Sequence, residues 1–81
     1  MAKHTRRDLV WDAALHLRNE RRYEDRAIDR DFHVGDVLAH LDIEVSDRHV
    51  RDTLDTMTEL GWLEKYPRGG RSPATFQHPD A

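Results

Sequence analysis

The sequence contains no cysteine and no long apolar segment, and each absence excludes a class of protein. Without thiols the chain cannot form a disulfide framework or a thiolate zinc site, so packing must stabilise the fold. No segment approaches the roughly 18 uncharged apolar residues of a membrane span, and residues 1–5 lack the apolar run of a signal peptide. We therefore expect a cytoplasmic protein.

Large apolar side chains are scarce as well. Of the 81 residues, 37% are apolar, seven of the apolar residues are alanine, and the mean hydropathy is −0.90. These values predict one domain over residues 1–81 with a small core, in which residues 1–4 are disordered and residues 79–81 fray. The sequence shows neither a nucleophile–base arrangement nor a glycine-rich phosphate loop, so we predict no enzymatic activity and no cofactor.

Basic residues are outnumbered by acidic ones, 13 to 16, which gives a formal net charge of −3. Taken alone, this balance argues against a surface that binds any polyanion. The charges are separated along the chain, however: residues 1–7 hold three basic residues and no acid, residues 8–64 hold fifteen acids and seven arginines, and residues 65–78 hold no acid. Positive ends therefore flank an acidic middle, and solvated termini remain the simpler interpretation.

Lysine is rare beside arginine, two against eleven, and aspartate outnumbers glutamate by eleven to five. This bias resembles that of proteins from salt-accumulating haloarchaea, although a GC-rich genome produces part of it. A halophilic source has a physical consequence, because the screening length at molar salt is only about 3 Å. Recognition then depends on close contacts and not on long-range charge.

A capping-box-like pair, Thr5 and Asp8, predicts the start of a first helix over residues 6–19. One stripe of this helix is apolar and is expected to face the core: Leu9, Val10, Ala13, Ala14 and Leu17. Residues 18–31 are rich in arginine and acids. This composition predicts that the end of the first helix continues into a loop in which few side chains are buried.

Trp11 and Leu15 lie off that stripe as an i,i+4 pair, so the first helix has a second apolar face. Two explanations remain open. Either the following segment covers this face, with Tyr23 and Ile28 as the candidates, or the face meets a second subunit. In the second case Trp11 and Leu15 form a dimer interface.

Phe32 and Val34 alternate with polar neighbours and predict a very short strand. A short second helix follows, with an apolar pattern that runs through Val37, Leu38 and Leu41. Ser46 is a good N-cap for a third helix that ends at Gly61. The expected buried seam of this helix consists of Val50, Leu54, Met57 and Leu60.

Residues 62–66 and 73–78 are β-prone and flank residues 67–72, which predicts a hairpin with a Gly-Gly tip. The whole order over residues 32–76 resembles the winged helix-turn-helix family of DNA-binding domains. The residues that carry the resemblance are Phe32, Val34, Asp36, Val37, Leu41, Val45, Ser46, Val50, Leu54 and the run Leu60-Gly61-Trp62-Leu63 before the basic tip. The resemblance implies an α+β fold with three helices and a short β-hairpin wing.

The resemblance also implies a transcriptional regulator that binds double-stranded DNA, with the third helix in the major groove and the wing on the backbone or minor groove. The DNA-contacting candidates are Ser46, Asp47, Arg48, Arg51 and Asp52 on the helix and Lys65, Arg68 and Arg71 on the wing. The arginines of the helix match guanine, its aspartates match cytosine, and Ser46 and the wing cations match phosphate.

A simpler interpretation applies to the same residues. The pairs Asp47–Arg51, Arg48–Asp52 and Arg51–Asp55 all have i,i+4 spacing, so the arginines of the third helix alternatively neutralise their neighbours on a solvated face. Winged helices also serve as protein-interaction modules without DNA binding, and the acidic middle of the chain suits that use. Both alternatives remain open at this point.

The spacing of His33, Asp36 and His40 suggests three metal ligands on one helical face, but a histidine near an N-cap is ordinary, so we predict no metal site. No effector domain is evident, and no small-molecule effector is predicted. The remaining partner prediction is a homodimer through the first helix, which implies symmetric half-sites one helical turn apart on DNA.

Overall fold

The computed structural model describes residues 5–68, 70 and 73–81. The elements follow in the order α1 (Arg6–Arg21), a 3₁₀ helix (Ala27–Arg30), α2 (Val34–His40), α3 (Asp47–Glu59), β1 (Glu64–Tyr66) and β2 (Thr75–Gln77). The two strands pair antiparallel, with Lys65 opposite Phe76. Three α-helices followed by a hairpin make an α+β domain consistent with the winged helix layout, so the predicted fold class is confirmed. The expectation of disorder in residues 1–4 lies outside the described residues.

The first helix begins at the predicted capping box. Thr5 Oγ1 accepts the Asp8 N–H at 3.1 Å, and Asp8 Oδ2 accepts the Thr5 N–H at 3.2 Å, so two otherwise unpaired amides are satisfied. The helix continues two residues beyond the expected end, to Arg21. Four residues of the predicted stripe are buried, Val10, Ala13, Ala14 and Leu17, whereas the fifth, Leu9 in the first turn, is only half-buried.

The second helix begins earlier than the sequence suggested. His33 Nδ1 accepts the Asp36 N–H at 3.3 Å, and Asp36 Oδ2 accepts the His33 N–H at 3.0 Å, which makes His33 an N-cap. Val34, expected in a strand, is therefore the first residue of α2. Phe32 keeps its strand character, because it exchanges two backbone hydrogen bonds with Phe76, at 2.8 and 2.7 Å.

The third helix is capped as predicted at both ends. Ser46 Oγ accepts the His49 N–H at 3.1 Å. Gly61 has φ +85°, and the Trp62 N–H donates to Met57 O at 2.9 Å, as in a Schellman motif. Leu60, expected to extend the buried seam, is 63% exposed, because this turn directs the chain away from the core at that residue.

The core joins one face of each helix to the hairpin. Val50, Leu54 and Met57 of α3 are fully buried against the α1 stripe. Phe32 and Phe76 are 1% exposed, and their ring centroids lie 6.2 Å apart. Through β2 the hairpin places Phe76 in the core, whereas all three β1 side chains are exposed and β1 meets α3 through the Lys65–Asp55 pair at 2.8 Å. None of the helices in the described part of the chain is both long and apolar enough to cross a bilayer.

The chain ends in a turn that packs against α1. His78 is only 7% exposed, its Nδ1 accepts the Asp80 N–H at 3.0 Å, and its backbone oxygen accepts the Ala81 N–H at 3.0 Å. Burial lowers the pKa of His78, the positive charges of Arg18 and Arg22 lower it further, and the Asp80 carboxylate opposes them. Residues 79–81 are those for which fraying is predicted.

We expect the folded protein to lose stability at mildly acidic pH through His78. Between its ordinary pKa of roughly 6.5 and its lower pKa in the folded state, the unfolded chain binds a proton that the folded chain does not. This contribution to stability is fully present above the ordinary pKa and falls as the pH drops toward the folded value. An NMR titration of the imidazole checks the pKa, and urea unfolding of His78→Gln should show a weaker loss from pH 7.5 to 5.5. A His78 that titrates at or above its ordinary pKa contradicts this prediction.

Candidate nucleic-acid interface

The predicted DNA-contacting residues of α3 lie on its solvent side, opposite the buried seam. We call the α3–wing face the surface formed by Ser46, Asp47, Arg48, Arg51, Asp52 and Lys65, all of which are exposed. The N-cap at Ser46 and the burial of Val50 and Leu54 set the rotation of α3, and with it the outward direction of Arg51. Arg71 was also predicted to contact DNA, and it lies outside the described residues.

A groove of about 560 Å³ separates the first turns of α3 from the hairpin. Asp47 and Arg51 of α3 and Lys65 of β1 all line this groove, together with His33 and Phe76. The fold therefore brings together the helix and wing residues that the sequence placed 14 or more positions apart. His33 was not among the predicted site residues, and its position beside the groove follows from its role as the N-cap of α2.

Arg51 differs from the other cations of this face. Arg48 Nε lies 3.9 Å from Asp52 Oδ2, and the two side chains are 89% and 70% exposed. This ion pair therefore contributes little to the stability of the fold. Asp55 pairs with Lys65 at 2.8 Å and not with Arg51. Among the residues that the structure describes, no carboxylate oxygen lies within 4.0 Å of Arg51. Within the described part of the chain, the guanidinium of Arg51 consequently forms no ion pair.

The wing cation Arg68 is directed elsewhere. Its Nη2 donates to Asp31 Oδ2 at 2.6 Å, and Thr75 Oγ1 donates to the same oxygen at 3.3 Å. Arg68 lines a separate hollow of about 360 Å³ with Tyr66 and Gln77, and it is not among the residues of the groove. The structure therefore does not bring Arg68 together with Lys65 on the α3–wing face.

A second hollow, of about 650 Å³, lies at the N-terminal end of α3 and is lined by Arg6, Ser46 and His49. His49 Nε2 is buried there without a hydrogen-bond partner in the described part of the chain. Ser46 lines this hollow and not the groove, whereas its neighbour Asp47 lines the groove. Arg6, which is not among the predicted site residues, also lines this hollow.

The second apolar face of α1 is covered in part by Trp62, which lies just before β1. The rings of Trp11 and Trp62 pack edge to face with centroids 6.4 Å apart, and Arg18 lies 5.3 Å over the Trp62 ring. Tyr23 and Ile28, the candidates of the first of the two explanations for this face, are 78% and 67% exposed and do not cover it. We call the surface of Trp11, Leu15 and Trp62 the tryptophan face; Trp62 remains 43% exposed.

The three residues that had suggested a metal site have separate roles. His33 and Asp36 cap α2, whereas the His40 ring stacks on His16 with centroids 4.8 Å apart. No cluster of three or more acidic or histidine side chains suited to a metal ion occurs within residues 5–68, 70 and 73–81.

In the comparison with known proteins, no family model, no curated protein and no solved structure matches this chain. The functional interpretation therefore depends on the geometry and charge of the α3–wing face. On that face the cations Arg48, Arg51 and Lys65 stand against Asp47 and Asp52, and Lys65 pairs with the neighbouring Asp55. The surface is neither positive overall nor acidic throughout.

Proposed function

We propose that this chain is a sequence-specific DNA-binding transcriptional regulator that inserts α3 into the major groove. The observation that supports this most strongly is Arg51, an exposed guanidinium in the second turn of α3 with no carboxylate within 4.0 Å among described residues. A guanidinium offers two parallel donors that match O6 and N7 of guanine. Arg51 can bind a base without first breaking an ion pair. Among the cations of the α3–wing face it is therefore our candidate for the base contact.

The other residues of the face have positioning roles in this proposal. Ser46 and the free amides behind it bind a phosphate at the N-terminus of α3, and Lys65 binds the backbone beside the groove. Asp47 and Asp52 accept from the amino group of cytosine. The acids Asp55 and Glu59 repel phosphate along the second half of α3, so the helix docks through its first two turns.

Duplex binding is the test of this proposal. Fluorescence polarisation against a random duplex pool, followed by selection of bound sequences, should give both an affinity and an enriched motif. The winged helix without DNA binding is the second candidate, and the exposure of Trp62 beside Trp11 favours it, because exposed aromatic residues are enriched at protein interfaces. A chain that binds no duplex at any potassium chloride concentration contradicts the first candidate and leaves the second.

We expect a shallow salt dependence of DNA binding. The face offers about three to six phosphate contacts, so log K should fall with log salt at a slope of about −3 to −5. Cations that bridge Asp52 or Asp55 to phosphate would flatten the slope further if the protein works at molar salt. Titration at several potassium chloride concentrations measures the slope directly. A steep decline with a slope near −10 contradicts this docking model.

We also propose a homodimer in which the tryptophan faces of two copies meet. This surface includes the predicted Trp11 and Leu15, and Trp62 extends it. Two-fold symmetry would place the two α3 helices on half-sites one helical turn apart. Light scattering should therefore give twice the 9.5 kDa chain mass, and Trp62→Gln should shift the protein toward the monomer. A wild-type mass of a single chain at high micromolar concentration contradicts the dimer.

A further inference from the structure

The ion pair between Arg68 and Asp31 is unlike the other charge pairs of the hairpin. Its N···O distance is 2.6 Å, and the Asp31 side chain is only 14% exposed, whereas Arg68 is 47% exposed. The corresponding values for Lys65 and Asp55 are 37% and 41% at 2.8 Å. Since one partner is largely buried, water screens the Arg68–Asp31 pair less than a surface pair.

The carboxylate of this pair is fixed to the body of the domain. Thr75 Oγ1 donates to the same Asp31 oxygen, and the Asp31 backbone oxygen accepts from Arg21. The next residue, Phe32, is paired with Phe76 on both its amide and its carbonyl. Arg68, in contrast, lies beyond the end of β1 and is the more exposed partner. If the pair opens, the arginine is therefore the partner that moves.

We propose that Asp31 occupies Arg68 in the free protein in place of a DNA phosphate, so that DNA binding exchanges one anion for another at the wing. This inference rests on the proposed function. Carboxylate and phosphate oxygens present similar acceptors to a guanidinium, which makes the exchange possible without a change in the donor. The phosphate must compete with Asp31, and the carboxylate that remains repels it.

Two measurable consequences follow from the exchange. The affinity of the wild-type protein is lower than its number of wing cations implies, because Arg68 is already neutralised. The salt slope is also shallower, since the released Asp31 carboxylate takes up a cation while the phosphate releases one. Removing the charge of Asp31 should therefore strengthen binding and steepen the slope together.

Asp31→Asn is the direct test, because the amide keeps the shape of the side chain and an oxygen acceptor for Thr75 and Arg68. Asp29→Asn is the matched control: it makes the same change in net charge two residues away, at a half-exposed side chain paired with Arg26. With a random duplex pool, Asp31→Asn should bind about three- to tenfold more tightly, with a slope steeper by up to about 0.9. Asp29→Asn should stay within about twofold of wild type.

The same comparison in an Arg68→Ala background shows whether the gain acts through Arg68. Arg68 is exposed enough for its removal to leave the core intact, and Arg68→Ala alone should cost less than about threefold in affinity. In that background the gain from Asp31→Asn should disappear. The exchange is overturned if the gain persists in that background, if it only equals the gain from Asp29→Asn, or if Asp31→Asn binds more weakly than wild type. If Asp31→Asn does not fold, a cost of tenfold or more for Arg68→Ala overturns it as well.

Failure of this inference is distinguishable from failure of the proposed function. A wild-type protein that binds no duplex contradicts the proposed function, and the exchange falls with it. A wild-type protein that binds, with Asp31→Asn and Asp29→Asn indistinguishable, overturns the exchange alone.

Discussion

Arg51→Ala is expected to reduce binding to the preferred duplex by about 1–3 kcal/mol, roughly 5- to 150-fold. The loss should be confined to sequences that carry the preferred guanine, because Arg51 contributes a base contact and not general attraction to the backbone. Competition between the selected duplex and versions mutated at each base pair measures this effect. In the variant, the preference should relax at one base pair and persist at the others.

Arg48→Ala is the matched control for Arg51→Ala. Both residues are exposed arginines in the first half of α3, but Arg48 faces Asp52, whereas no described carboxylate lies within 4.0 Å of Arg51. Removal of Arg48 should change the affinity by less than about threefold. If Arg51→Ala weakens all duplexes equally, Arg51 binds phosphate; if Arg48→Ala has the larger effect, the assignment of the base reader is wrong.

Phe76→Ala is expected to destabilise the domain by about 3–5 kcal/mol, the largest stability effect of any substitution considered. Among the described strand residues Phe76 is the one whose side chain is buried: it is 1% exposed and packs on Phe32. The total stability of a small domain is about 5–15 kcal/mol, so the variant would lose a large share of it. Urea unfolding followed by circular dichroism measures the change.

Phe76→Leu serves as the control for this prediction, because it keeps an apolar side chain at the same position. Its cost should be less than about 1.5–2 kcal/mol. A value for Phe76→Ala within about 1 kcal/mol of wild type would show that the hairpin is not fixed to the helices through this ring.

Local signals in the sequence predicted the start of α1 and both ends of α3 correctly. The capping box of Thr5 and Asp8, the N-cap at Ser46 and the left-handed Gly61 each depend on residues within one turn. The start of α2 was missed because histidine is not among the common N-cap residues. Leu60 was wrongly predicted to be buried, because the helical spacing of apolar residues continues to Leu60 although α3 ends at Glu59.

The charge pairs of the candidate site could not be predicted in the same way. The i,i+4 rule proposed three pairs on α3, all of them within the described residues, and one of these, Arg48–Asp52, lies within 4.0 Å. Asp55 instead pairs with Lys65, ten residues away, and Arg68 pairs with Asp31 at a separation of 37 residues. Such partners depend on how the hairpin packs against the helices, which no local pattern encodes.

Mapping of NMR chemical shifts during titration with the selected duplex tests most directly whether the α3–wing face contacts DNA. The amide shifts of residues 46–52 and of Lys65 should change most, together with the side-chain Nε–H of Arg51. The indole N–H signals of Trp11 and Trp62, on the tryptophan face, should change little in a protein that is already dimeric. Shift changes centred on those two indoles, with residues 46–52 unaffected, would contradict the proposed interface.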